Sequence, residues 1–388
     1  MSVIQRKNYE AAVELRHELH THPELSNEEV WTKQRILEFV RAHTTRIQFH
    51  DRGTWFYGVY RESTRQGTAA QTRDTVMFRA DFDALPMDEV IELPWASKIA
   101  GKAHKCGHDG HSATLVAFAM EVDERGADND VVFLWQPAEE VGNGAVQCLP
   151  VLDAEHVTRV FGYHNMAGFP YKSIVVRDGV IQCASVGMII KLTGTPAHAS
   201  QPETGKNPSL AIATLIQRIP ELTKNAKELL LCTVVQVNVG NRQFGMSAYY
   251  GELLMTIRAT YENELEELKR NLVQLATVEA AKTGLKCEFE YSDAFPETRN
   301  TKACVDHVRA VAKAQGRLVH EMNAPLRPSE DFGHYGKLRP ACYFFIGNGE
   351  SYPPIHTPSY DFRDEVIEVG VRMFKGLAGV HDTPPASL

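Results

Sequence analysis

The chain has no uninterrupted run of about 18 apolar residues, so a membrane-spanning helix of ordinary length is excluded. Its first fifteen residues lack both the apolar core and the small-residue cleavage site of a secretory signal. The seven cysteines, Cys106, Cys148, Cys183, Cys232, Cys287, Cys304 and Cys342, are odd in number and have no paired spacing. That argues against a disulfide framework and suits a reducing compartment; the expectation is a cytoplasmic protein. A basic stripe is also missing. With 41 Lys and Arg against 49 Asp and Glu, the net charge of -8 argues against nucleic acid or an acidic membrane as partner. There is no internal repeat, low-complexity tract or Pro/Gly-rich linker.

At 388 residues the chain exceeds the range of one ordinary core, so two domains are expected. Short apolar segments at 75–78, 131–135, 158–163 and 341–346 read as buried strands. Ser26-Asn-Glu-Glu29 has the form of a capping box, and the apolar spacing of Val30, Ile36, Leu37 and Val40 predicts a helix over 27–42. A second helix is expected over 110–122. Alternation of this kind predicts an α/β domain with a central, mostly parallel sheet. Between 186 and 297 the texture changes to strand, helix, strand, strand, helix, strand, the ferredoxin-like α+β order. The expected organisation is a first domain of 1–185 and 298–388, interrupted by an inserted domain of 186–297.

Cys106 and His108, in His-Lys-Cys-Gly-His-Asp-Gly-His, are a thiol and an imidazole two residues apart that can grip a metal. Further ligand types stand just after expected strands or in loops: Glu139 and Glu140, His164, and His356. Those that follow strands lie where ligands collect, in the crevice beyond the carboxyl ends of an open α/β sheet. Neighbouring carboxylates in extended backbone point opposite ways, so one can bind metal while the other faces a water. Adjacent glutamates after a strand are also ordinary in solvated loops. Asp81 and Asp83 read equally as carboxylates that orient a ligand histidine or as turn residues. His198, in Gly-Thr-Pro-Ala-His-Ala-Ser, has the bland reading of a loop histidine.

Taken in order, FRADFDALPMDE, HKCGHDGHSATL, LWQPAEEVGNGA, GYHN, GTPAHASQPETGKNP, SEDF and PPIHTPSYDF resemble the motif series of the M20 metallopeptidase superfamily. The resemblance is to its amidohydrolase branch of N-acyl-amino-acid and auxin-conjugate hydrolases, and runs from about Arg16 to Phe374. It implies a di-metal catalytic domain interrupted by a lid domain, with homodimers formed through the lid. It further implies Cys106, His108, Glu140, His164 and His356 as metal ligands and Glu139 as general base. His198 is implied as the lid histidine that can reach across a dimer to the reacting carbonyl. Arg258 matches a lid arginine associated with the substrate carboxylate, and a strand arginine is equally a structural pair; Asn207 matches a lid asparagine near the substrate or the interdomain contact. Two departures stand out. Asp81-x-Asp83 replaces the His-x-Asp of the wider superfamily, which makes Asp83 an orienting carboxylate rather than a ligand. Phe244-Gly-Met-Ser-Ala248 replaces an Asn-Val-Ile-Pro-like segment, so the substrate-side contacts differ.

The expected activity is hydrolysis of the amide of an N-acyl amino acid or short peptide, with Glu139 activating a water between two divalent cations. Zn suits the thiolate and imidazoles, and Mn, Co or Ni suit the carboxylate. A dipeptidase or carboxypeptidase would share every ligand and differ in the acyl pocket. A metal- or ligand-binding protein without turnover is the non-enzymatic alternative.

Overall fold

The computed structural model describes residues 4–62 and 74–382. The chain divides into two compact units: Met1–Ile181 with Thr298–Ala324 and Asp331–Leu388, and Gln182–Glu297 with Pro325–Glu330. The first boundary therefore falls four residues before the position expected from sequence, and 325–330 joins the second unit instead of the first. Hydrogen bonds explain the shift. Cys183 N–H donates to Leu326 O (3.1 Å), and the Ser329 hydroxyl donates to Cys183 O (2.7 Å).

The first unit begins with α1 (Arg6–Thr21), α2 (Val30–His43), β1 (Gln48–Asp51), β2 (Phe56–Tyr60), β3 (Thr75–Asp81), α3 (His108–Arg125) and β4 (Asp130–Gln136). It continues through α4 (Gly144–Cys148), α5 (Pro150–Ala154), β5 (Arg159–Ala167), β6 (Ile174–Val176) and β7 (Gly179–Gln182), which ends at the boundary. The second unit supplies β8 (Ala184–Thr193), α6 (Ser209–Thr223), β9 (Leu230–Val239), β10 (Tyr250–Ala259), α7 (Glu262–Lys282) and β11 (Lys286–Phe295). The chain then returns as β12 (Thr298–Asn300), α8 (Lys302–Ala314), β13 (Val319–Glu321), α9 (Gly333–Leu338), β14 (Ala341–Gly349) and α10 (Glu365–Ala378). Among the described residues, no helix is long and apolar enough to cross a membrane.

The large sheet has the order β1-β2-β4-β3-β5-β14-β6-β13. Its centre, β4-β3-β5-β14, is parallel, and antiparallel β2 and β6 flank it. All seven residues of β3 are buried, as a strand covered on both faces requires. Helix α3 is buried along most of its length and contributes Phe118 to an aromatic core with Phe78, Phe133 and Phe374. Strand order reverses at β3, with β4 on one side and β5 on the other, so its carboxyl end opens a crevice. The mixed α/β architecture with a largely parallel centre is the expected one.

In the second unit the strand order β11-β8-β10-β9 is antiparallel throughout. One face of β8 (Val186, Met188, Ile190, Leu192) and of β10 (Leu253, Met255, Ile257) packs with Ile212, Leu215, Leu268 and Leu272 of α6 and α7. The period-2 pattern and the βαββαβ order thus produce the ferredoxin-like arrangement.

Helix α2 corrects one expectation. It starts at Val30, three residues late, and neither Ser26 nor Glu29 caps it. The Glu24 carboxylate accepts the first-turn N–H groups of Trp31 (3.2 Å) and Thr32 (2.8 Å), which leaves Ser26 and Glu29 free for other partners.

Candidate metal centre

Four backbone features deliver the donor side chains. Gly107, between Cys106 and His108, has φ +100°, and a Cβ there would lie 2.5 Å from Asn165 Oδ1 and 2.7 Å from the Tyr360 hydroxyl. Only glycine permits that turn, and it places His108 as the first residue of α3, two residues earlier than expected. Glu139 and Glu140 follow β4 in a tight turn entered through Ala138, an alanine at φ +50°. His164 lies within β5, opposite Phe345 of β14, in a strand that runs four residues past the expected end. His356, at φ +60°, is anchored by its own N–H on the Lys105 carbonyl (2.7 Å), one residue from Cys106.

The side chains converge. Cys106 Sγ is 3.2 Å from His164 Nε2 and 3.3 Å from His356 Nε2. Glu140 Oε1 lies 3.4 Å from His356 Nε2 and 3.7 Å from His108 Nε2. Glu139 Oε2 lies 3.9 Å from His108 Nε2. Cys106 thus belongs both to a group with His108 and His164 and to one with Glu140 and His356, while Glu139 joins His108 and Glu140. Cys106, His108, Glu139 and His164 are each no more than 5% exposed.

The electrostatics fit a cation. Burial, then the Glu140 and Glu139 carboxylates, push the Cys106 thiol well above its ordinary range, so a thiolate here needs a positive partner. Burial opposes a charge on His108, but Asp81 and Asp83 outweigh it and its imidazole is pushed up to about 10. Yet His108 Nε2, the nitrogen turned toward Glu139 and Glu140, is buried without a hydrogen bond. A buried polar atom of that kind calls for a partner, and a divalent cation between imidazole and carboxylate supplies one. His164 is held well below its usual range, first by burial and then by His111, which keeps it neutral with a lone pair free.

Behind the donors stands a layer of orienting groups. Asp83 Oδ1 meets His108 Nδ1 at 3.0 Å, while Asp83 Oδ2 accepts the Ser26 hydroxyl (2.8 Å) and Glu140 N–H (3.0 Å). Asp83 is therefore in contact with two donor residues and is no solvated turn residue. Asp81 pairs with His111 Nδ1 (2.6 Å) and Arg79 (2.5 Å), and Arg79 reaches Asp331 (2.7 Å). The His111 ring stands edge-on to His164 at 4.5 Å. His111, Arg79 and Asp331 lie inside motifs quoted above but were not singled out as site residues, and Glu29 was read as half of a capping box. His111 carried a usable signal, since it follows His108 by three residues on one helix face; Asp331 is brought in from 252 residues beyond Arg79.

The second unit holds the other candidates. His198 is exposed after β8; Ser200 N–H donates to its Nδ1 (3.2 Å), and the Ser200 hydroxyl lies 2.7 Å from the same atom. Asn207 is exposed, and its Oδ1 accepts Ser209 N–H (2.9 Å) and hydroxyl (2.6 Å) at the start of α6. Arg258, half-buried on β10, donates to Arg327 O (2.5 Å) and Ser329 Oγ (2.7 Å). The segment Phe244–Ala248 pairs with the His198 loop through Ala199 N–H to Gly245 O (3.1 Å) and Ser247 N–H to Ala197 O (2.9 Å).

Residues 77–379 match peptidase family M20/M25/M40. The chain belongs to that family. It is a metal-dependent hydrolase of the amidohydrolase type, similar to enzymes named for acylated amino acids. It is 28% identical over 373 residues to N-acetylcysteine deacetylase of Bacillus subtilis, covering 94% of this chain and 95% of that one. It is 27% identical to hippurate hydrolase of Campylobacter jejuni, covering 94% of each. Among solved structures it resembles the Bacillus subtilis YXEP protein, described as a dinuclear metal binding peptidase of the M20 family. That likeness has a TM-score of 0.79 at 25% identity and covers 96% of this chain and 98% of that one. The donor groups accommodate two divalent cations on this family's pattern.

Proposed function

We propose that this enzyme hydrolyses the amide joining an acyl group to the nitrogen of an amino acid. The observation that carries the reading is a largely buried cluster in which two adjacent carboxylates face one imidazole: Glu139 Oε2 and Glu140 Oε1 lie 3.9 and 3.7 Å from His108 Nε2. On this reading Cys106, His108, Glu140, His164 and His356 hold the cations, with Cys106 shared between two groups, and Glu139, which also stands with His108 and Glu140, serves as the base. Two divalent cations, when bound, polarise the attacking water and the amide carbonyl. The thiolate and imidazoles favour Zn, and the carboxylate keeps Mn, Co or Ni compatible.

The chain's own groups do the rest. Glu139 takes the proton of the attacking water at a carboxylate oxygen and delivers it to the departing amine nitrogen. Because Ser200 N–H donates to His198 Nδ1, the neutral ring carries its proton on Nε2, the tautomer able to donate to a developing oxyanion. Arg258 is bonded to neutral oxygens alone among its described hydrogen-bond partners, which suits a guanidinium that meets the amino-acid carboxylate. The Asn207 amide nitrogen is the second substrate-side donor. Pairing of two copies through the second unit completes the reading, and β9, one of the two edge strands of its sheet, exposes Val235 and Val237. The names of the relatives, a deacetylase and a hydrolase of acylated amino acids, support the substrate class.

Glu139→Gln tests the assignment. By elemental analysis the variant should bind as much metal as the wild type, while kcat on an N-acetyl amino acid falls by about 10²–10⁴. Substantial retained turnover rejects Glu139 as the base. Faster cleavage of free dipeptides than of N-acyl amino acids moves the substrate class to peptides.

A further inference from the structure

Ser26 and Glu29, which precede α2, turn their side chains away from that helix and toward the segments that carry the candidate donors, while Glu28 between them pairs with Lys102. Ser26 donates to Asp83 Oδ2, the same oxygen that accepts Glu140 N–H. Glu29, 6% exposed, accepts the Ala138 N–H at 2.8 Å across 109 residues of sequence. Ala138 stands in the left-handed region at φ +50°, which an L-residue other than glycine enters only when its surroundings impose it. It is followed directly by Glu139 and Glu140, and the turn closes through Gly142 N–H to Glu139 O (2.8 Å) and Gly144 N–H to Ala138 O (3.1 Å). The direction in which Glu139 leaves the backbone is therefore set by the peptide plane that Glu29 holds. Glu24 caps α2 in its place, which leaves the Glu29 carboxylate available for this bond.

We propose that Glu29 is a positioning residue for the general base: by accepting the Ala138 N–H it fixes the backbone from which Glu139 projects. The inference rests on the reading of Glu139 given above. A carboxylate displaced by a fraction of an ångström still binds substrate but transfers its proton poorly, so the defect belongs in kcat.

The experiment compares Glu29→Ala, Glu29→Gln and Glu139→Gln in the full chain. It reads kcat and KM on an N-acetyl amino acid, metal content by elemental analysis, and hydrogen exchange of the peptide spanning 137–143. E29A should lower kcat about 10- to 100-fold, with KM and metal content within about twofold of wild type and faster exchange at 137–143. E29Q keeps an acceptor oxygen and should hold kcat within about threefold. The proposal is overturned by wild-type kcat in E29A, by a loss of kcat that only tracks lost metal or lost folded protein, or by E29Q falling as far as E29A. Should E29A not fold, Glu29→Asp replaces it: the shorter carboxylate should turn over more slowly than E29Q, and the reverse order overturns the proposal. Activity in E139Q sinks the reading of the base; an inactive E139Q beside a fully active E29A sinks this inference alone.

Discussion

In the first unit Cys106, His108, Glu139 and His164 are buried, and groups around them such as Asp83, Asp331 and Glu29 come from segments 25 to 252 residues away from their partners. In the second, His198 and Asn207 are exposed and satisfied by Ser200 and Ser209, each two residues on. On the proposed function, the contrast follows from what each set would do. Charged ligands taken out of water are tolerable only when their remaining atoms are paired, so a metal centre must be built into the core with its orienting layer. A residue that meets a substrate must stay accessible, and a local turn is enough to aim it. Damage should accordingly spread through the first set and stay local in the second.

The largest break in that contrast is expected at Asp83. Asp83→Asn replaces one carboxylate oxygen with an N–H₂ that cannot accept from either His108 or the Ser26 and Glu140 donors. Outer groups of this kind govern ligand orientation, and metal affinity should fall by about 10- to 100-fold. Competition with a chelator measures it, and activity should recover when metal is added in excess. Unchanged affinity would leave Asp83 a structural tie between Ser26, His108 and Glu140 with no hold on the metal.

Arg258 comes next and probes the second set. If its guanidinium meets the substrate carboxylate, Arg258→Ala loses a charge-assisted bond of about 1.5–3 kcal/mol, and KM for an N-acyl amino acid should rise roughly 10- to 100-fold. A substrate with its carboxylate amidated should be handled alike by both proteins. Intact kinetics with a lowered melting temperature would instead make Arg258 a tie to Arg327 and Ser329, the structural role its two neutral bonds already permit.

Much of this was legible in the primary structure because the signals were local. Buried strands read as apolar runs, the inserted unit read as βαββαβ, and the candidate donors stood in short motifs, Glu139 and Glu140 just after β4 and His356 in a loop. What escaped depends on long-range pairing. The Ser-x-x-Glu pattern of Ser26 to Glu29 is a capping box by spacing, but Glu24 captures the helix N–H groups from a residue the pattern ignores. Asp331 and Arg79 meet only because strand order places them together, and the transfer of 325–330 to the second unit rests on bonds to Cys183. His164 illustrates the middle case: its role as a candidate was readable, its position inside β5 was not, because the apolar run gives way to His164 and Asn165 before the strand ends.

The smallest effect is expected at Asn207, where the structural bonds of one side chain can be separated from its proposed substrate contact. Its oxygen closes the turn at the start of α6, a contribution of about 1 kcal/mol that any acceptor at this position supplies. Its amide nitrogen is the group available to a substrate. Asn207→Asp preserves the acceptor and removes the donor, so the melting temperature should hold while KM rises a few-fold, roughly 1 kcal/mol for one neutral hydrogen bond. Asn207→Ala removes both and should lower stability as well. If the aspartate variant keeps a wild-type KM while the alanine variant loses stability, Asn207 serves α6 alone, and substrate recognition in the second unit contracts to Arg258 and the His198 loop.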